Sequence, residues 1–318
     1  MLIPIILIFL GFILLIKGAD WMINGASTLA KKHNVSDLAI GLTIVAFGTS
    51  APELVVNSVA SFEGHSNIVL GNVIGSNNFN LFVILGIVGL IFPISVQSST
   101  VWKEIPISLL AAIVMLFLAN GFYFFGEHSL SRLDGFILLI LFISFLYYVY
   151  RQMQNDSPSE AIPLAPTSNL KIWALIIVGL AGLVIGGKLV VDNAVEIATE
   201  LGVSQKIIGL TILAAGTSLP ELVTSVVAAF KKRNDVAIGN IVGSNIFNIF
   251  FILSISTLIN PIEYDISFNT DLYLLIGGTI FLFVAMFLAG KKKLDRWEAA
   301  VLLISFIVYT IYLIREAV

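Results

Sequence analysis

The sequence predicts an all-α membrane protein whose ten transmembrane helices form two inverted five-helix repeats. Three observations predict it. Hydrophobic residues make up 58% of the 318 residues and charged residues only 12%, a composition unlike that of a soluble domain. Ten apolar stretches approach the ~20 residues that a helix needs to cross a bilayer. The chain also repeats itself without a gap at a shift of 168, so that Gly41 maps to Gly209, Thr49 to Thr217, Glu53 to Glu221, Ser76 to Ser244, Asn80 to Asn248 and Pro93 to Pro261. Five spans per half is an odd number, so the second half enters the membrane from the opposite side, and a pseudo-two-fold axis in the membrane plane relates the halves.

The first half, residues 1–151, carries spans near 2–20, 38–60, 67–92, 105–125 and 134–150; the second, residues 171–318, carries them near 172–190, 206–229, 236–260, 272–290 and 297–314. The apolar run 2–16 has no basic region before it, which reads as a first span continuing toward Lys17 and Asp20 rather than a cleaved signal peptide, with Met1 in the mature chain. Residues 152–170, which include NDSPSEAIPLAPTSN, are too polar and too interrupted by proline to cross, and read as a cytoplasmic linker. Lys31, Lys32, Lys103, Arg151, Lys171, Lys231, Lys232, Arg233, Lys291, Lys292, Lys293 and Arg296 are twelve of the seventeen basic residues, and all fall in odd-numbered connections. Cytoplasmic loops carry the basic excess, so both termini are expected outside a cell membrane, with Lys17 at the cytoplasmic end of the first span.

The remaining composition is exclusionary. A net charge of -3 names no acidic or basic partner, and nucleic-acid binding has no footprint. Without cysteine there is no disulfide, thiolate metal site or thiol nucleophile. His33, His65 and His128 fall in connections and read as solvated. No insertion is long enough for a soluble regulatory domain, and no cofactor or obligatory protein partner is implied.

The repeated core is GLTIVAFGTSAPE at 41–53, which returns as GLTILAAGTSLPE at 209–221. Each copy places a glutamate among apolar residues, and ionisable groups in a membrane interior usually face a cavity and mark an ion or substrate path. Neither repeat offers a nearby mid-span base to make Glu53 or Glu221 half of a structural ion pair. Pro52 and Pro220 remove a backbone donor and crowd the carbonyls of Gly48 and Gly216, while those glycines loosen the same turn. A broken helix of this kind exposes carbonyl oxygens, including those near Ala46 and Ala214, which suit hard cations. Helical spacing puts Thr49 with Glu53, Ser76 with Asn80, Thr217 with Glu221 and Ser244 with Asn248 on shared faces. The resulting donor set is all oxygen, which fits Ca2+, Na+ and, less well, Mg2+, but not Zn2+ or Cu+. In GNVIGSNNFN and GNIVGSNIFN, Gly71, Gly75, Gly239 and Gly243 read as close-packing positions, and Asn72, Asn77, Asn240 and Asn245 as helix-to-helix hydrogen bonders or ligands.

GTSAPE and GTSLPE, with GSNNFN and GSNIFN, resemble the two alpha-repeats of the cation/calcium exchanger superfamily, in its prokaryotic sodium/calcium form. The resemblance implies that Ca2+ is held by Glu53 and Glu221 with the carbonyls of Thr49 and Thr217. It implies that Na+ uses the same glutamates with Ala46, Ser50 and Ser76 in one repeat and Ala214, Ser218 and Ser244 in the other, Asn80 and Asn248 standing around the centre. The glutamate follows Gly-Thr-Ser-x-Pro, and the Gly-Asn-x-x-Glu of the proton/calcium branch is absent, which favours Na+ over H+ as counter-ion. Asn248 replaces the aspartate of potassium-dependent relatives, which argues against K+ co-transport.

Two carboxylates neutralise one Ca2+ and are over-neutralised by three Na+, so shared ligands imply antiport that carries charge. With neither ion bound the like charges repel, which discourages the empty carrier from switching sides. The resemblance implies alternating access in which spans one and six slide over the other eight. The alternatives are a calcium/proton antiporter and a potassium-dependent exchanger; further off stand a cation channel and an intramembrane hydrolase. A channel more often builds its filter from several subunits around an axis, and no histidine or nucleophile accompanies the glutamates as a hydrolase requires.

Overall fold

The computed structural model describes residues 2–33, 35–121, 128–155, 168–202, 214–288 and 292–317. Its helices are α1 (Leu2–Lys32), α2 (Asp37–Thr49), α3 (Ala51–Phe62), α4 (Ser66–Ile91), α5 (Thr100–Ala119), α6 (Arg132–Asn155), α7 (Asn169–Glu200), α8 (Leu219–Phe230), α9 (Asn234–Ile259), α10 (Phe268–Leu288) and α11 (Arg296–Ala317). Among the described residues eight helices are long and apolar enough to cross a membrane, nine if α2 and α3, which meet at 47°, count as one broken span. The twelve-residue α8 is apolar but short, and most of the expected span 206–229 that precedes it, residues 206–213, lies outside the described residues.

Several helices run past the expected spans. α1 has 31 residues and α7 has 32, about 47 Å each at 1.5 Å per residue, well beyond a ~30 Å hydrocarbon core. Lys17 is an exposed residue inside this helix, which continues to Lys32. Asp20, toward which the first span was expected to continue, and Asn24 are gathered by Lys231, whose Nζ lies 2.5 Å from Asp20 Oδ1 and 2.8 Å from Asn24 Oδ1. The expected linker is shorter than 152–170, because α6 continues through Asn155 and α7 starts at Asn169 under a Ser168 cap; residues 156–167 lie outside the described residues.

α1 and α7 lie antiparallel at a distance only glycine permits. A Cβ on Gly18 would stand 2.6 Å from Gly179 O, one on Gly179 2.6 Å from Met22 N, and one on Gly186 2.7 Å from Gly11 O. Helices without a hydrophobic drive between them associate through such small residues. The centre of the molecule is α4 and α9: 94% of the apolar stretch of α9 is buried, against 17% for the peripheral α11. Both central helices contain a wide π-turn at equivalent positions, Phe79–Ile84 and Phe247–Ile252, each carrying an asparagine of the motif; such turns gather at functional sites. Large apolar side chains of α1, α6 and α11 face outward, including Phe9, Ile140 and Val308, as a lipid-facing surface requires.

The expected close packing of the motif glycines holds in one repeat. Gly239 and Gly243 press on α2, with Cβ positions 2.9 Å from Leu38 O and from Ala46 Cβ, whereas among the described residues Gly71 touches only Phe268 at 3.9 Å and Gly75 has nothing within 4 Å. The segment equivalent to the one pressed by Gly239 and Gly243 is 206–214, of which residues 206–213 lie outside the described residues. The all-α expectation also missed two antiparallel pairings of two residues each, β1 (Ile94–Ser95) with β4 (Lys293–Leu294) and β2 (Ser129–Leu130) with β3 (Ile262–Glu263), which staple the connections together.

Candidate cation site

Pro52 and Pro220 do not sit inside continuous helices. Each occupies the opening turn of a helix, α3 or α8, where its missing N–H costs no hydrogen bond. The break falls on the preceding serine: Ser50 has φ -83 and ψ 7, Ser218 φ -88 and ψ 7. The glutamates therefore lie in the first turn of the new helices, at the end where backbone N–H groups concentrate positive potential. Both are buried, each 1% exposed. Gly48 and Gly216 have a further role in this turn, since a Cβ on either would stand 2.4 Å from α7, at Leu180 and Val191.

The halves hold each other's carboxylates. Ser50 Oγ donates to Glu221 Oε1 at 2.9 Å, and Ser218 Oγ to Glu53 Oε1 at 3.4 Å. Ser50 Oγ also lies 3.0 Å from Ser244 Oγ. Thr49 Oγ1 reaches Asn240 Oδ1 at 3.0 Å, and Thr217 Oγ1 reaches Asn72 Oδ1 at 3.5 Å. Between α4 and α9 the amides interlock. Asn80 Nδ2 donates to Asn245 Oδ1 at 3.1 Å and Asn248 Nδ2 to Asn77 Oδ1 at 2.9 Å, while Asn77 and Asn245 each donate to the other's backbone carbonyl, at 3.1 and 3.3 Å. Asn72, Asn77, Asn240 and Asn245 thus act here as hydrogen-bonding braces, one of the two readings their spacing left open.

This bracing leaves four oxygens over. Glu53 Oε2, Glu221 Oε2, Asn80 Oδ1 and Asn248 Oδ1 are buried and accept no hydrogen bond. Leaving a buried acceptor unsatisfied is costly, more so for a charged one. The amide nitrogens of Asn80 and Asn248 are engaged, so their carbonyl oxygens are the free ends. Of the other expected site residues, Ala46, Thr49, Ser50, Ser76, Ser218 and Ser244 are buried and Thr217 is half-buried. The Ala46 carbonyl accepts the Ser50 N–H at 3.0 Å and Ser76 Oγ donates to Asn72 Oδ1 at 3.1 Å, so Ser76 faces the bracing asparagine. Ala214 opens the turn Ala214–Gly216.

No lysine, arginine or histidine pairs with either glutamate among the described residues. The ion pairs there, His65–Glu63, Lys231–Asp20, Arg233–Asp37 and Lys293–Asp295, all involve other acidic groups. Nor do the described residues contain a cluster of three or more His, Cys, Asp or Glu able to hold a metal. Two carboxylates with neutral oxygens make a site of low ligand charge, which suits a hard cation that must leave again.

Comparison with known proteins agrees with this chemistry. The family described as "Sodium/calcium exchanger protein" matches residues 3–151 and 171–315. The sodium/calcium exchanger MaX1 of Methanosarcina acetivorans is 30% identical over 97% of both chains, and the inner membrane protein YrbG of Escherichia coli 35% identical over 83% of this chain and 82% of its own. The fold matches that of the sodium-calcium exchanger NCX_Mj with a TM-score of 0.83, 32% identity, and coverage of 98% of this chain and 99% of that one. A two-part match over nearly the whole chain, with an exchanger fold around the paired glutamates, places this protein in the sodium/calcium exchanger family.

Proposed function

We propose that the chain is a secondary antiporter that moves Ca2+ across the cell membrane against Na+, both ions competing for Glu53 and Glu221. The family is one of transporters, not of catalysts, and cation/Ca2+ exchange is its activity. The observation that supports the finer reading is the set of four buried oxygens, two carboxylate and two amide, left unsatisfied by an otherwise reciprocal hydrogen-bond frame. Thr49 and Thr217 complete a Ca2+ site through their carbonyls. Na+ draws also on Ala46, Ser50, Ser76, Ala214, Ser218 and Ser244.

In this reading ten spans cross the membrane, with halves at 1–151 and 171–318, the intervening linker in the cytoplasm and both termini outside. The family match in two segments and the repeat of 168 support it. Alternating access moves α1 and α7 together against the rest, and their glycine-mediated backbone contact suits a pair that travels as one body. The neutral amide of Asn248 makes K+ unnecessary. Purified protein in vesicles should take up Ca2+ when a Na+ gradient opposes it; uptake driven equally by a proton gradient without Na+ would refute Na+ as the counter-ion.

A further inference from the structure

One ion pair ties the body formed by α1 and α7 to the rest of the protein. Lys231, which caps α8, places Nζ 2.5 Å from Asp20 Oδ1, 2.8 Å from Asn24 Oδ1 and 3.3 Å from the Asp20 carbonyl, so all three partners belong to α1. Apolar packing accompanies the pair: Val223 and Val227 of α8 lie against a core that includes Leu15, Ala19, Met22 and Ile23 of α1.

The inverted repeat turns this pair around. Shifting by 168 converts Asp20 into Lys188 and Lys231 into Glu63, so α7 carries the cation and the end of α3 the anion. Both members change sign together, which keeps them attractive; reversal of one alone would set like charges against each other. Basic residues gather on the cytoplasmic side, which accounts for Lys231 against Glu63. The same bias runs the wrong way for Asp20 against Lys188.

The second pair is apart in this structure. Lys188 is exposed and in no ion pair among the described residues, and Glu63 is exposed beside His65, at 3.6 Å. The valines next to it are bare as well: Val55 and Val59, the equivalents of Val223 and Val227, are 62% and 51% exposed. One end of the molecule is closed by α1, while the equivalent surface at the other end stands uncovered.

We infer that Asp20 with Lys231 and Lys188 with Glu63 are alternating latches, one made and the other broken at each end point of the motion of α1 and α7. The inference rests on the sliding of that pair proposed above. The latches are unequal. Asn24, which accepts from Lys231, becomes Asp192 one turn after Lys188, so Glu63 meets a carboxylate where Lys231 meets a neutral amide. Asp192 both repels Glu63 and competes for Lys188 along its own helix. The arrangement with α1 closed on α8 is therefore preferred when no ion is bound. A partly exposed ion pair biases an equilibrium by up to about fivefold, enough to set which side the cation site faces at rest and too little to stall the exchange.

The chain contains no cysteine, so T199C on α7 and N67C on α4, both exposed positions, accept spin labels cleanly in the full-length protein. Reconstituted in vesicles and read by pulsed dipolar spectroscopy, they should show two distance populations, the larger being the arrangement described here. D20N and K231Q break the closed latch and D192N strengthens the open one, so each should shift the ratio about two- to fivefold toward the second arrangement. K188Q or E63Q added to K231Q should reverse that shift, and D20K combined with K231E, which copies the twin pair, should restore the parental ratio. All five side chains are at least partly exposed, so none of these changes opens the core. Two populations indifferent to K231Q and K188Q, or a charge swap that restores nothing, would overturn the latches and leave the sliding standing. A single distance under every ion condition would remove the sliding and the latches with it.

Discussion

Replacing Glu53 or Glu221 by glutamine separates an ion-binding carboxylate from a structural one. Each substitution keeps an oxygen to accept the serine hydroxyl of the other half, Ser218 for Glu53 and Ser50 for Glu221, and removes one of the two charges that face Ca2+. No basic side chain pairs with either glutamate among the described residues, so no cation is stranded by the change. Losing one member of a buried charge pair costs about 2–5 kcal/mol, which is about thirty- to several-thousand-fold in Ca2+ affinity. The folded protein without Ca2+ should lose none of this, because neutralising one of two like charges relieves repulsion. Calorimetric Ca2+ titration and thermal unfolding of the purified variants measure the two effects separately, and radioactive Ca2+ uptake in vesicles measures the functional loss. A variant that bound Ca2+ within threefold of the parent, or that melted well below it in the absence of Ca2+, would mean that the glutamate holds the fold and not the ion.

Under the proposed function, sodium-driven Ca2+ uptake should proceed at the same rate with and without K+ and, if three Na+ exchange for one Ca2+, should respond to an imposed membrane potential; flux assays at clamped potentials test both. Asn245→Ala strands Asn80 Nδ2, and Asn77→Ala strands Asn248 Nδ2, so each should lower stability by about 1–3 kcal/mol. Chemical unfolding in detergent should find the two costs alike. Gly179→Leu forces a side chain into a space where even a Cβ lies 2.6 Å from Met22 N and should cost about 3 kcal/mol or more by overpacking. Gly277→Ala, with nothing among the described residues within 4 Å, should gain up to about 1 kcal/mol of helix propensity, and melting temperatures would order the pair.

The positions of the candidate site were legible because they occur twice. Glu53 and Glu221, and the asparagines and serines spaced four apart, stood out against apolar surroundings at a fixed shift. That shift aligns equivalent residues and is silent about contacts, so it pairs Ser50 with Ser218 and hides that Ser50 holds Glu221. Hydrophobicity found apolar helices but not their full length, because the first span was expected to close near Lys17 and Asp20 although the helix continues to Lys32 and Lys231 folds over Asp20. The glycines of α1 and α7 gave a readable signal, Gly11, Gly18 and Gly25 at sevens, which an apolar background obscured. Two-residue strands such as Ile94–Ser95 have no periodicity to read. The reversed charges lay in plain view at the same shift, Asp20 against Lys188 and Lys231 against Glu63, but outside the repeated motif.

Because each glutamate takes its serine from the other half, neither half of this chain contains a finished site. An ancestor holding one copy of the motif would have needed a second copy beside it before its glutamate met the serine that now holds it. Joining two copies in one polypeptide released each from serving both roles, and the chain records that freedom: Asp20 and Lys231 on one side, Lys188 and Glu63 on the other. A substitution in either half is thus felt first by its opposite, and the two halves are bound to change in step at the centre while diverging toward the two faces.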